Sequence, residues 1–145
     1  MFLVDTNVIS ALAPSKLQTI AALVDWLDRA SQHLFLSVVT AAEIRSGIAK
    51  AEREGAITKA RRLQEWWNGI EYLYGQKLLP FDLKCAHVAG AILEDARGHQ
   101  PGFDDIAIAA TARVHGFTVL TRNTRHFAPL GVAALNPFAE LPRLP

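Results

Sequence analysis

The chain reads as an α/β fold built around a central parallel sheet of about five strands, and three observations predict it. Short apolar runs, at residues 2–4, 34–39, 77–81, 117–120 and 132–135, alternate with longer segments whose apolar residues recur at helical spacing. This regular alternation of strands and helices favours parallel strands with helices on both faces, joined by right-handed crossovers. The third observation is size: 145 residues, half of them hydrophobic and a fifth charged, fit a single domain spanning residues 1–145 with room for a real core.

The first strand, FLV at residues 2–4, is a continuous apolar run of the kind buried on both faces, and Asp5, Thr6 and Asn7 mark where it meets water. Read alone, Asp5 or Thr6 is an N-cap for a short helix at 8–12. Ile20, Leu23, Val24 and Leu27 make residues 17–30 an amphipathic helix, followed by the second strand at 34–39. Thr40 reads as the N-cap of the next helix, with Glu43 at the third helical position as in a capping box. Gly55 interrupts the pattern and residues 57–74 resume it, so the pair forms a helical hairpin expected to protrude. Adjacent Trp66 and Trp67 point about 100° apart on a helix, so one faces solvent or a partner unless the apolar face is wide. A short strand at 77–81 ends near Pro80, a helix at 83–97 ends at Gly98, and the alanine-rich helix 106–115 is introduced by Asp104 and Asp105 and stopped by Gly116. Residues 121–126 read as a polar loop or turn, and 136–145, with three prolines, as an irregular tail.

Several function classes are disfavoured by composition. Fifteen basic and fourteen acidic residues leave a net charge of +1, so any nucleic-acid contact must come from a local patch. The single cysteine, Cys85, forms no intrachain disulfide or zinc cluster and lies in an apolar helical pattern, where a thiol acts as a small hydrophobe. No run approaches bilayer-crossing length, and the expected home is the cytoplasm. His33, His87, His99, His115 and His126 show no metal-ligand spacing and read as surface or helix-end residues.

All parallel strands deliver their following loops to one edge of the sheet, where ligands of such folds bind. Asp5, the Thr40–Glu43 turn and the 121–123 loop converge there; Asp105 joins them if the loop before it returns over the same edge. Three carboxylates so placed repel one another unless a cation holds them together. A hard divalent ion such as Mg²⁺ or Mn²⁺ takes a few carboxylate oxygens, keeps waters, and leaves room for phosphate oxygens.

The segments LVDTNVIS at the start, AAEIRSG around Glu43, D-x-x-I-A-A-T-A from Asp105 to Ala112, and TRNTRHF from Thr121 to Phe127 resemble the four signature segments of PIN-domain ribonucleases of the VapC/FitB toxin type. The resemblance runs in order across essentially the whole chain. It implies a PIN-like α/β/α sandwich and an endoribonuclease site dependent on Mg²⁺ or Mn²⁺. On the matching positions, Asp5 would be the central metal ligand, Glu43 a second acid binding metal or positioning water, and Asp105 the acid completing the metal site. Asn123 falls where some relatives carry Asp; an amide lacks the charge, so a second ion is held less firmly. Of Asp104 and Asp105, one is expected to cap the helix and the other to face the site, and the motif's register favours Asp105. Thr6 and Thr121 can hydrogen-bond the ligand carboxylates, and Arg45, Arg122 and Arg125 can grip an RNA backbone. The resemblance further implies a homodimer and an antitoxin whose tail lies across the active-site groove, with the exposed one of Trp66 and Trp67 as part of a protein interface.

Two other classes compete. A PIN fold without turnover would serve as partner of a DNA-binding antitoxin or as an RNA-binding scaffold, but the joint presence of Asp5, Glu43 and Asp105 speaks against it. An aspartyl-phosphate phosphatase wants a second Asp two residues after the first, where this chain has Asn7.

Overall fold

The computed structural model describes residues 1–14 and 21–145. Five strands form one sheet: β1 (Phe2–Val4), β2 (Leu34–Ser37), β3 (Leu78–Leu79), β4 (Thr118–Leu120) and β5 (Ala134–Leu135), in the order β3-β2-β1-β4-β5 with every pairing parallel. The chain leaves β1 for β2 on one side and later crosses to β4 on the other. The carboxyl end of β1 is therefore the topological switch point, the place where open parallel sheets bind ligands.

Side chains alternate across this sheet and feed two cores. Phe2 and Val4, with Leu34, Leu36 and Leu120, face a layer containing Trp26, Leu27, Trp67 and Ile70. Leu3, Leu79 and Val119 face the other way, onto Ile92, Ile106, Ala109 and Phe127. The helices are α1 (Thr6–Ile9), α2 (Ala21–Ala30), α3 (Val38–Arg53), α4 (Ile57–Tyr74), α5 (Leu83–Asp95), α6 (Phe103–His115) and α7 (Thr124–Phe127). The result is the expected α/β/α sandwich. Of the helix read at 17–30, residues 21–30 are helical and the start lies outside the described residues.

The hairpin of α3 and α4 carries a small core of its own, Ile48, Ala51 and Ala60. It is also anchored in the main one. Trp67 is buried and its Nε1 donates to Glu71 Oε1 at 2.6 Å, while Trp66 is half-buried against the same layer. The apolar face of α4 is thus wide enough for both tryptophans, and neither is the free docking side chain expected from sequence. Tyr72 and Leu73, 87% and 75% exposed, are the uncovered hydrophobic residues at that end of α4.

Three local expectations shift, the first two for a capping reason. Thr40 does not cap α3: Ser37 does, its Oγ accepting from Val39 N at 3.0 Å, so strand β2 passes directly into the helix and Thr40 lies buried inside it. Glu43 consequently sits well past the capping-box position. Neither Asp104 nor Asp105 caps α6, because Gly102 occupies the N-cap and both acids fall in the first turn. Residues 124–127, read as loop, close into the short α7. Residues 136–145 lack regular structure, yet Pro142 O accepts from Trp26 Nε1 at 2.7 Å, tying this segment to the core. Among the described residues no helix is long and apolar enough to cross a membrane.

Candidate active site

Beyond the carboxyl end of β1 lies an open cavity of about 700 Å³ whose lining includes Asp5, Glu43, Asp104, Asp105 and Asn123. Each arrives on a different support. Asp5 ends β1, Glu43 projects from α3, the two aspartates open α6, and Asn123 follows β4. The segment His99–Gly102 also lines the cavity, with Gln100 in the left-handed region at φ 48°. This turn brings the start of α6 back over the sheet edge, the step that sequence alone left open.

Asp5 is buried, only 5% exposed, and its carboxylate is held on both oxygens. Oδ1 accepts from Thr6 N at 2.8 Å, so Asp5 caps α1 as well as facing the cavity. Oδ2 accepts from the Thr121 hydroxyl at 2.7 Å and from Asn7 Nδ2 at 3.2 Å. Asn7 and Thr121 then knit the ends of β1 and β4 together: Asn7 Oδ1 accepts from Arg122 N at 3.0 Å, and Thr121 Oγ1 accepts from Asn123 N at 3.0 Å. Glu43 is oriented in the same manner. Thr6 Oγ1 lies 2.8 Å from Glu43 Oε1 and 2.9 Å from Thr40 Oγ1. With its one proton directed to the carboxylate, Thr6 accepts the Thr40 hydroxyl, giving a relay Thr40–Thr6–Glu43. Buried Thr40 therefore works in the site and not as a cap.

The electrostatics follow from this crowding. Burial pushes the Asp5 carboxyl above its usual range and the charge of Asp104 adds to the rise, against the hydrogen bonds from Thr121 and Thr6 N. Burial likewise raises Glu43, followed by the charges of Asp104, Asp5 and Asp105, with the Thr6 hydroxyl opposing. Asp105 is raised by burial, then by Asp104 and Asp5, and lowered by His126. His126 Nδ1 stands 3.3 Å from Asp105 Oδ2. The site is an oxygen-rich pocket of mutually repelling acids, which a bound cation would relieve.

The three arginines diverge. Arg125 lines the cavity. Arg122 stacks its guanidinium over the Phe138 ring at 4.0 Å, and Arg45 turns along α3 to Glu52 at 3.7 Å, away from the lining. Two site residues escaped the sequence reading in whole or part. His126 reads from sequence as a surface or helix-end histidine, since a four-residue helix offers no periodicity to aim it; Asn7 reads as a supporting group beside Asp5 and as the residue excluding a phosphatase, but its bonds to Asp5 Oδ2 and Arg122 N are not legible there.

A PIN-domain family model matches residues 2–131. The chain belongs to the PIN-domain family. Its similarity to individual members extends over nearly its full length. It is 35% identical to the toxin FitB of Neisseria gonorrhoeae, covering 97% of this chain and 100% of the toxin. It is 36% identical to a VapC ribonuclease, Y4jK, of Sinorhizobium fredii, covering 95% of this chain and 98% of that one. Among solved structures, FitAB bound to an IR36 DNA fragment superposes with a TM-score of 0.78 at 34% identity, covering 95% of this chain and 96% of that one. The PIN domain described here is thus of the VapC/FitB toxin type, and the four segments that suggested the family are those that build the cavity.

Whether a hard divalent ion suits this PIN site can be judged from its donors. They are chiefly carboxylate, amide and hydroxyl oxygens, with the imidazoles of His99 and His126 also on the lining and no thiols; an oxygen-rich set of this kind is the one that Mg²⁺ and Mn²⁺ prefer. Among the described residues no three His, Cys, Asp or Glu side chains close into a ready-made cage. A hard ion of this kind needs only one or two direct carboxylates, the rest of its shell being water.

Proposed function

We propose that this PIN domain is a divalent-metal-dependent endoribonuclease, the toxin of a toxin–antitoxin pair, which hydrolyses RNA phosphodiester bonds. The observation that carries the reading is the convergence of Asp5, Glu43 and Asp105, from three separate elements, in one cavity where each is crowded by its neighbours' charge. The kinship to a VapC ribonuclease and to toxin FitB supports it.

In this reading Asp5 and Asp105 hold the ion, Glu43 binds it or takes the proton from the attacking water, and Asn123 orients water or phosphate. Bound there, Mg²⁺ or Mn²⁺ would neutralise charge developing on the scissile phosphate and acidify the attacking water. Thr121 and Thr6 fix the Asp5 and Glu43 carboxylates so that no reorganisation is needed during the reaction. Arg125 at the rim binds a flanking RNA phosphate as a charge-assisted donor. Water attacks phosphorus, the proton it loses passes to Glu43, one P–O ester bond breaks, and the leaving ribose oxygen takes up a proton from solvent at the open mouth of the cavity.

The open mouth of the cavity gives an antitoxin segment access to the same acids, and the related FitB is solved as FitAB on DNA. A homodimer is part of the same proposal. Leu83 on α5 and Phe103 on α6, 69% and 58% exposed, offer apolar surface for it, and light scattering on the purified chain distinguishes monomer from dimer. Induced expression tests the function: the wild type should arrest growth and deplete cellular RNA, and Asp5→Asn at equal protein level should do neither. Arrest undiminished in Asp5→Asn would mean that the fold acts by binding alone.

A further inference from the structure

We propose that Asp104 supplies the fourth negative charge of this site, in place of the one Asn123 lacks, and that Gly102 is the positioning residue that gives its carboxylate room. The inference rests on the metal-site reading above and concerns this chain's own acids.

Asp104 lies between two recesses. One is the cavity already described; the other is a shallower groove lined by Val39, Ala42, Ser46, Phe103 and Ala107. Glu43 and Asp104 line both, so they form the partition between them from opposite sides, one on α3 and one on α6. Asp104, exposed on the first turn of α6, therefore borders the cavity of the other acids and does not lie wholly on the outer side of the helix.

Gly102 adds an independent observation. Its backbone, φ −66° and ψ 146°, is one that any residue adopts, so conformation does not require glycine here. Its bearing is on the place of Asp104: a methyl group on Gly102 would stand 2.5 Å from Asp104 Oδ1, so the carboxylate would have to move aside. The bare Cα leaves the place that the Asp104 carboxylate occupies. Asp104 shares the cavity lining with Asp5, Glu43 and Asp105, so its charge adds to theirs there. Asn123, across the same cavity, contributes an amide and no charge. With Asp104 the cavity holds four carboxylates, where the motif residues alone give three.

The bland alternative is that Asp104 only complements the positive end of the α6 dipole. Mn²⁺ affinity, measured by calorimetric titration of the full chain at fixed neutral pH, separates the two, with thermal melting in chelator as the control for folding. Asp104→Asn should weaken Mn²⁺ binding by about tenfold or more, the scale expected when a group supporting a metal site is lost. Adding Asn123→Asp to that variant should restore most of the affinity by returning the charge from the other wall. Gly102→Ala should reproduce much of the Asp104→Asn loss while leaving the melting temperature near wild type, because only the tip of a side chain has to move. Unchanged Mn²⁺ affinity in Asp104→Asn, with or without a lower melting temperature, would overturn the proposal in favour of the dipole role. Failure of Asn123→Asp to rescue would overturn the exchange of charge between the two walls. A wild type that binds no Mn²⁺ would overturn this inference together with the metal-site reading, whereas wild-type binding with an insensitive Asp104→Asn overturns this inference alone.

Discussion

The hydroxyl of Thr121 offers the sharpest test of how the site is held. Thr121 is fully buried, donates to Asp5 Oδ2 at 2.7 Å and accepts from Asn123 N at 3.0 Å. Thr121→Val keeps the shape and deletes both bonds, together with a longer one that the hydroxyl accepts from Asn7 Nδ2 at 3.3 Å. A hydrogen bond to a charged acceptor contributes about 1.5–3 kcal/mol, and the second, to a neutral amide that water can reach, about 1 kcal/mol or less. The variant should therefore lose about 2–3 kcal/mol of unfolding free energy at neutral pH, a fall of about 1 M in urea midpoint at the usual slope for a domain of this size. Thr121→Ser, which keeps the hydroxyl and loses a methyl group, should lose only about 1 kcal/mol. The pH dependence has a fixed sign. The Thr121 bond favours ionised Asp5 and lowers its pKa in the folded state, so removing it hurts most where Asp5 is charged. The gap between wild type and Thr121→Val should be full at pH 7–8 and narrow as the pH falls and Asp5 takes up a proton. A valine variant within about 0.5 kcal/mol of wild type, or a gap that widens in acid, would refute the assignment of Thr121 as the donor that holds Asp5.

Further outcomes follow from the same structure. Glu43 is raised by burial and by three neighbouring carboxylates, so its ionisation costs the folded state stability as pH rises through its folded pKa; in chelator, Glu43→Gln should melt higher than wild type at neutral pH, and the difference should disappear near pH 4. Mn²⁺ should raise the melting temperature of the wild type at neutral pH and do so less in Glu43→Gln, as differential scanning fluorimetry can follow. Thr6→Val should lower the rate of RNA cleavage more than Thr6→Ser, because serine retains the hydroxyl that orients Glu43; equal losses would show that the hydroxyl is idle. In the core, Trp67→Ala should cost about 3–5 kcal/mol by equilibrium denaturation, and half-buried Trp66→Ala distinctly less.

Much of the molecule was legible because the pattern and the chemistry are local. Apolar runs of three to six residues between helical repeats gave five parallel strands, and Gly116 ended α6 with φ 69°, the left-handed conformation that glycine tolerates best. Asp5, Glu43 and Asp105 were each found from the few residues around them. The errors arose where two local signals were equally good. Ser37 and Thr40 are both capable caps, and Ser37 takes the role because the helix begins at Val38, where its Oγ accepts from Val39 N. Likewise, two adjacent aspartates signal a helix start without saying that Gly102 has already begun it. What sequence could not show is contact between distant segments. The bond from Thr121 to Asp5 spans 116 positions and that from Arg122 N to Asn7 spans 115, and nothing at either end announces the other. The same holds for His126 beside Asp105 and for the burial of both tryptophans of α4.

The central claim is that these carboxylates cut RNA with the help of a divalent ion, and cleavage by purified protein tests it most directly. An end-labelled RNA should be cut by the wild type in Mn²⁺ or Mg²⁺, spared when chelator is added, and cut again when the ion is returned in excess. Asp5→Asn and Asp105→Asn, shown to be folded by their melting curves, should leave it intact under all three conditions. Cleavage that persists in chelator, or in both variants, would contradict the account.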